Sequence, residues 1–263
     1  MPIPRSVNAV ILALCIAATL SACALFEGEQ DPTKGWSASK LYAEAKDALD
    51  GGDYERAIDL FETLEARYPF GRYARQAQLD IAYAYYKFDE PDSAIAAADR
   101  FIKLHPKSPH VDYAYYLKGL ANFNRGKSIF SYVIPRDLES RDPVPLKRAF
   151  EDFKVIVTRY PDSPYTEDAR KRMVFLRNKL AAHELAVADF YMRRGAYVAA
   201  ANRAQYILEH YQRATAIPQA LEILIKAYRR LHLNDLALQT YEVMRLNYPE
   251  RARKLARKLK IES

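Results

Sequence analysis

The residues that could do chemistry in this chain fall into a few groups, and most fail a test of spacing or context. Arg125-Gly126-Lys127-Ser128 imitates the end of a phosphate-binding loop. Such a loop also needs a glycine five positions before its second one, where this chain has Ala121, and no strand-like run precedes it. The five histidines, His105, His110, His183, His210 and His232, form no i, i+4 pair beside a glutamate in the order a zinc protease needs, so they read as helix-end or surface residues. Glu55, Asp59, Glu62 and Glu65 lie at helical surface spacing, which is expected of a solvated face and not of an acid/base pair. No nucleophile elbow, glycine-rich cradle or cysteine nucleophile is present. These residues call for no cofactor and no metal ion, and the expectation is a protein that is not an enzyme.

Recognition is the chemistry the residue types favour. There are twenty tyrosines, with clusters at Tyr83, Tyr85, Tyr86 and at Tyr113, Tyr115, Tyr116; Arg67, Arg72 and Arg75 lie near the first cluster. Tyr and Arg dominate interface hot spots, and rings beside guanidinium groups suit a peptide with aromatic residues and a terminal carboxylate. Consecutive helical side chains point about 100° apart, so one ring of each cluster is expected to line a groove while about half of the tyrosines pack in the core. Arg67, Arg72, Tyr83 and Tyr86 are the candidate groove residues. Arginines that merely solvate the surface are an equal alternative.

One further residue carries covalent chemistry. Arg5 and the apolar run Val10 to Leu20 read as a secretory signal, removed after residue 22, and the run is too short to span a bilayer comfortably. Leu20-Ser21-Ala22-Cys23 resembles the lipobox at which bacterial lipoproteins are cleaved and acylated, so Cys23 is the expected lipidated first residue. Ala24 stands where inner-membrane lipoproteins often carry Asp, which by the same resemblance favours the outer membrane. The only other cysteine, Cys15, leaves with the signal, so no disulfide is available and the fold must stand on its core. The net charge is +7, and +6 without Arg5: basic, but not polycationic. Acidic partners or anionic headgroups suit that sign; nucleic acid is not expected as a partner of an exported lipoprotein.

The elements that must position these groups come from a repeat. After a polar linker over 23–38, an Ala inside an apolar helix is followed twelve positions on by Pro: Ala57 with Tyr68-Pro69, Ala94 with His105-Pro106, Ala149 with Tyr160-Pro161, Ala237 with Tyr248-Pro249. Ala200 with Tyr211-Gln212 keeps the ring without the Pro. Ala admits a close helix neighbour and Pro cannot continue the helix, so twelve residues measure one helix and its stop. Phe61, Ala98, Phe153, Ala204 and Tyr241, four residues beyond each Ala, share its face and are expected to be buried. Each such helix follows another, as in the stripe Leu41, Ala45, Ala48 before the turn Gly51-Gly52-Asp53. Ser108-Pro109 and Ser163-Pro164 read as capped helix starts. The unit resembles the tetratricopeptide repeat. The expected fold is therefore all-α, a tetratricopeptide-repeat superhelix of about five helix-turn-helix repeats.

The expected organisation is an N-terminal module over 39–165 holding repeats one to three, with an insertion at about 123–145. A C-terminal module over 166–263 then begins with one long joining helix from Thr166 to Met192 and holds repeats four and five. The basic amphipathic tail from Arg251 to Lys260 is read as a cap on the last repeat in preference to a binder of headgroups or an acidic partner.

Four segments carry a more specific resemblance: Arg67-Tyr68-Pro69-Phe70-Gly71, Ile81-Ala82-Tyr83-Ala84-Tyr85-Tyr86-Lys87, Arg141-Asp142-Pro143 and Lys171-Arg172-Met173-Val174-Phe175-Leu176. With the lipobox they are similar to the BamD (ComL) family, from Cys23 to about Tyr248. That resemblance implies a lipoprotein on the periplasmic face of the outer membrane, in the machinery that folds and inserts β-barrel proteins. It implies docking of the C-terminal repeats on a POTRA domain of the BamA-like barrel subunit, with Arg203 facing acidic groups there. It also implies lipoproteins of the BamC and BamE type alongside, and N-terminal repeats that read the C-terminal signal of unfolded barrel substrates. Arg203→Glu is expected to weaken docking without unfolding the chain. A different envelope repeat lipoprotein, such as a secretin pilotin, is the alternative; the insertion with Arg141-Asp142-Pro143 argues against it.

Overall fold

The computed structural model of the chain describes residues 31–125 and 142–259. Among them are eleven helices: α1 (Ala38–Gly51), α2 (Tyr54–Arg67), α3 (Arg72–Lys87), α4 (Pro91–Leu104), α5 (Val111–Asn124), α6 (Val144–Arg159), α7 (Thr166–Arg193), α8 (Tyr197–His210), α9 (Ile217–Arg230), α10 (Asn234–Asn247) and α11 (Pro249–Leu259). They stack as five helix pairs with α11 closing the end. The first helices of successive pairs also touch, α1 with α3, α3 with α5 and α7 with α9, which sets them on the inner side of an all-α tetratricopeptide-type superhelix.

The five repeat alanines are all buried, and the residues four positions on are buried with them. Twelve positions measure a helix and its stop, as expected, and the stop is made in the same way where the proline is absent. The caps Tyr68, His105, Tyr160, Tyr211 and Tyr248 share one backbone conformation, φ between −139 and −122 and ψ between 48 and 65. Each sends its amide to the carbonyl four residues back. A following Pro disfavours helical φ/ψ at the residue before it, which accounts for four of the caps. Tyr211 adopts the same shape before Gln212, held by burial of its own ring against Tyr206.

Two helix starts differ from expectation. After Ser108-Pro109 and Ser163-Pro164 the helices begin only at Val111 and Thr166. The serine hydroxyls instead accept from the amides two residues on, His110 at 3.3 Å and Tyr165 at 3.2 Å, closing a small turn one step before the helix.

The core runs the length of the stack. Residues of α7 belong to two parts of it: Ala169 and Leu176 join Phe153 and Ile156, while Leu180, Ala181 and Ala188 join Ala200, Ala204 and Leu224. α7 therefore packs on helices of both halves of the chain, each buried large side chain contributing about 1.5–3 kcal/mol. At α5 the closest approach is made by Gly119, where a Cβ would lie 2.5 Å from Cε1 of the buried Phe153 ring. α5 continues to Asn124, and Val144 and Pro145 already belong to α6. Residues 126–141 of the insertion, with the Gly126-Lys127-Ser128 tripeptide and Arg141, lie outside the described residues, as does Cys23. No helix among the described residues is long and apolar enough to cross a membrane.

Candidate partner-binding surfaces

Arg203 stands on α8, the outer helix of the fourth pair. Its Nη1 donates to Oε2 of Glu184 on α7 at 3.0 Å; the Glu184 side chain is only 6% exposed and that of Arg203 46%. A buried carboxylate thus pins one arm of a half-exposed guanidinium. Arginine has five N–H donors in a rigid fork, so the remaining ones can face an acidic partner while the head is held in place. Glu184 carries no motif and was invisible in the sequence; only the packing of α7 against α8 reveals it. Nearby, burial first and then Tyr206 and Glu184 hold the Tyr211 hydroxyl above the ordinary tyrosine range. Because Glu184 needs the arginine, Arg203→Glu is expected to lower stability as well as docking, while the chain stays folded.

The four groove candidates do not converge. Arg67, in the last turn of α2, is engaged by the chain's own linker: Nη1 donates to the Thr33 carbonyl at 2.6 Å, and Nη2 to Thr33 Oγ1 at 2.8 Å and to the Asp31 carboxylate. Thr33 is buried by this clamp, so Arg67 holds down residues 31–36. Arg72 opens α3, donating to the Tyr73 hydroxyl at 2.9 Å and lying over its ring at 4.7 Å. With Arg75, Ser108, Pro109 and His110 it lines a cavity of about 240 Å³. Tyr83 and Tyr86 sit further along α3, their ring centroids 6.5 Å apart, and Tyr86 accepts from Asn124 at 2.7 Å. Fourteen residues of helix separate Arg72 from Tyr86, about 21 Å. The arginine end and the tyrosine end are two places and not one pocket.

The tyrosine clusters are not split between core and groove either. All six rings are half-buried. Tyr85 donates to Glu62 at 2.8 Å, Tyr116 donates to Asp168 at 2.7 Å and stacks on Tyr165 at 4.7 Å, and Tyr115 packs by Tyr160 at 6.4 Å. Rings on inner helices reach across to neighbouring helices, so an apolar body is covered while the hydroxyls of Tyr85 and Tyr116 find a carboxylate. Asp168 is pushed up by burial, but hydrogen bonds from Arg172 and Tyr116 overcome this and leave it lowered. Among the described residues, Phe70, between Pro69 and Gly71, is the most exposed large hydrophobic side chain at 91%. Its signal in the sequence was the Pro-Phe-Gly turn, too short to fold the ring back.

Beside the insertion, Lys118 bridges Asp99 at 2.7 Å and Asp152 at 3.3 Å, and Asn122 donates to Asp152 at 3.1 Å. Burial pushes Asp152 up, opposed by Lys118. The arrangement is a clasp between α4, α5 and α6 in which one lysine serves two carboxylates.

Residues 35–243 match the YfiO family, described as outer membrane lipoprotein. The chain is 46% identical over 245 residues to the outer membrane protein assembly factor BamD of Neisseria meningitidis serogroup B, covering 92% of this chain and 91% of the relative. It is 44% identical to the protein of that name from Vibrio cholerae, over 80% of this chain and 87% of the relative, and 38% identical to that of Xylella fastidiosa strain 9a5c, over 85% and 77%. With its repeat superhelix and matches that run through most of both partners, the chain belongs to the BamD family of outer membrane lipoproteins.

Proposed function

We propose that this chain is an outer membrane protein assembly factor: a scaffold that holds other components of the β-barrel assembly complex and does no chemistry of its own. The observation that carries the reading is 46% identity across 92% of the chain to a relative bearing that name. The fold agrees, since stacked helix pairs offer long surfaces to partners.

In this reading the chain is anchored by acylated Cys23 on the periplasmic face of the outer membrane. The half-exposed guanidinium of Arg203, fixed by Glu184, docks on acidic groups of a POTRA domain of the barrel subunit, and BamC- and BamE-type lipoproteins bind alongside. The N-terminal repeats receive the C-terminal signal of an unfolded barrel protein. For that task Arg72 and Arg75, at the cavity with His110, replace Arg67, which the linker engages. Exposed Phe70 and the rings of Tyr83 and Tyr86 supply apolar contacts.

A mild-detergent pull-down of the tagged, lipidated protein from its own membranes tests the proposal. Recovery of a large barrel protein with periplasmic POTRA domains is expected. Recovery of a secretin or cell-wall enzymes without it would overturn the assembly role.

A further inference from the structure

The closing helix α11 has two chemically opposite sides. Projected at 100° per residue, Ala252, Leu255, Ala256 and Leu259 fall on one side. They pack in the core with Leu221, Ile225, Tyr241 and Met244. Arg251, Arg253, Lys254, Arg257 and Lys258 occupy the other side with Glu250 as their sole acidic companion on the helix, and all five are exposed. The apolar side does what a terminal cap requires. Nothing in capping requires the outer side to be cationic, since any polar residues would keep it wet.

Ion pairing accounts for part of that charge. Arg253 pairs with Glu250, and Arg251 lies 3.7 Å from Glu222. Arg257 reaches only a backbone carbonyl, that of Arg253, at 3.5 Å. Lys254, Arg257 and Lys258 therefore have no carboxylate partner among the described residues. Arg229 at the end of α9 donates to the Leu259 carbonyl at 2.5 Å, which ties down the end of α11 and adds a further guanidinium beside the stripe.

We infer that this outer face of α11 is a second membrane contact, binding the anionic headgroups of phospholipids electrostatically. The site is a convex helix surface of exposed cations, as suits a diffuse layer of phosphates better than one fixed carboxylate array. Because the apolar side is already buried, the helix touches headgroups without inserting, and salt should release it completely. A bilayer within reach follows from the outer-membrane location in the proposed function, on which the inference rests for its setting.

The test uses the full mature chain with Cys23→Ser, so that no acyl anchor contributes and the result does not depend on lipidation. Binding is measured by cosedimentation with phosphatidylcholine vesicles, with and without about a third phosphatidylglycerol. Each basic residue near an anionic surface is worth about 1 kcal/mol, about fivefold. Binding only to the anionic vesicles is expected, about a hundredfold weaker for Lys254→Gln/Arg257→Gln/Lys258→Gln and abolished in concentrated salt. A control, Lys103→Gln/Lys107→Gln/Arg170→Gln, removes the same charge elsewhere and should bind like the parent, with helicity checked for both. Equal binding by the two triple variants, or by the two kinds of vesicle, would overturn the inference. Absent vesicle binding, with a protein lost from the pull-down of the α11 variant, would overturn it in favour of an acidic protein partner.

Discussion

Replacing Arg203 by Glu should cost stability as well as docking, and the two losses can be separated. At 3.0 Å and an effective dielectric of about 20, the Arg203–Glu184 attraction is about 5 kcal/mol gross, most of it offset by taking Glu184 out of water. The net worth of the pair is small, but removing the arginine alone leaves the desolvation of Glu184 unmet. Breaking buried pairs costs about 3–5 kcal/mol; the 46% exposure of Arg203 lets water reach the site, so we expect about 2–3 kcal/mol for Arg203→Ala. Arg203→Glu adds repulsion and should lose somewhat more. Glu184→Gln in the same chain relieves both and should bring Arg203→Ala back to within about 1 kcal/mol of the parent. In urea melts with a slope of about 2–3 kcal/mol/M the single variants shift the midpoint down by about 1 M. The Glu184→Gln/Arg203→Ala chain, stable but without its guanidinium, is then the right bait for the docking pull-down. An Arg203→Glu midpoint within about 0.2 M of the parent would refute the reasoning.

Gly119→Ala sets helix propensity, a gain of about 1 kcal/mol, against a Cβ 2.5 Å from the Phe153 ring. That ring is fully buried and flanked by Tyr116, so overpacking of about 1–3 kcal/mol should win and the melt should shift down; adding Phe153→Leu should recover part of the loss, and a more stable Gly119→Ala would count against the packing described. Arg67→Ala should free the linker, speeding amide exchange at residues 33–36 by tenfold or more (about 1.4 kcal/mol) without moving the global melt; unchanged exchange would show that the clamp does not hold the segment. In alkali, Tyr85 and Tyr116 are held up at about 12, first by burial and then by Glu62 and Asp168. Their folded pKa lies above the unfolded value of about 10, so their stabilisation is present below pH 10 and is lost as the pH rises through about 12. Absorbance titration should show late-ionising tyrosines with helicity falling over that window, whereas ionisation of every tyrosine near 10 with helicity intact would contradict it.

The sequence by itself determined the helix-pair repeat, because its causes are local or periodic. A small residue, an apolar residue one turn on and a stop at fixed distance are properties of one helix, and Ala57, Phe61 and Tyr68 state them without a neighbour. It also carried the family resemblance, through contiguous segments such as Arg67 to Gly71. What joins residues far apart was decided by tertiary structure. Glu184 became the holder of Arg203 because α7 packs on α8; Gly119 became the tight point because Phe153 crosses it; Arg67 turned from a groove candidate into a clamp because the linker returns to the end of α2. Periodicity tells which face of a helix is covered, but which side chain covers it depends on the angle and register between helices, which no single segment encodes. The separation of Arg72 from Tyr86, by contrast, is local: both stand on α3, and a rise of about 1.5 Å per residue sets them about 21 Å apart.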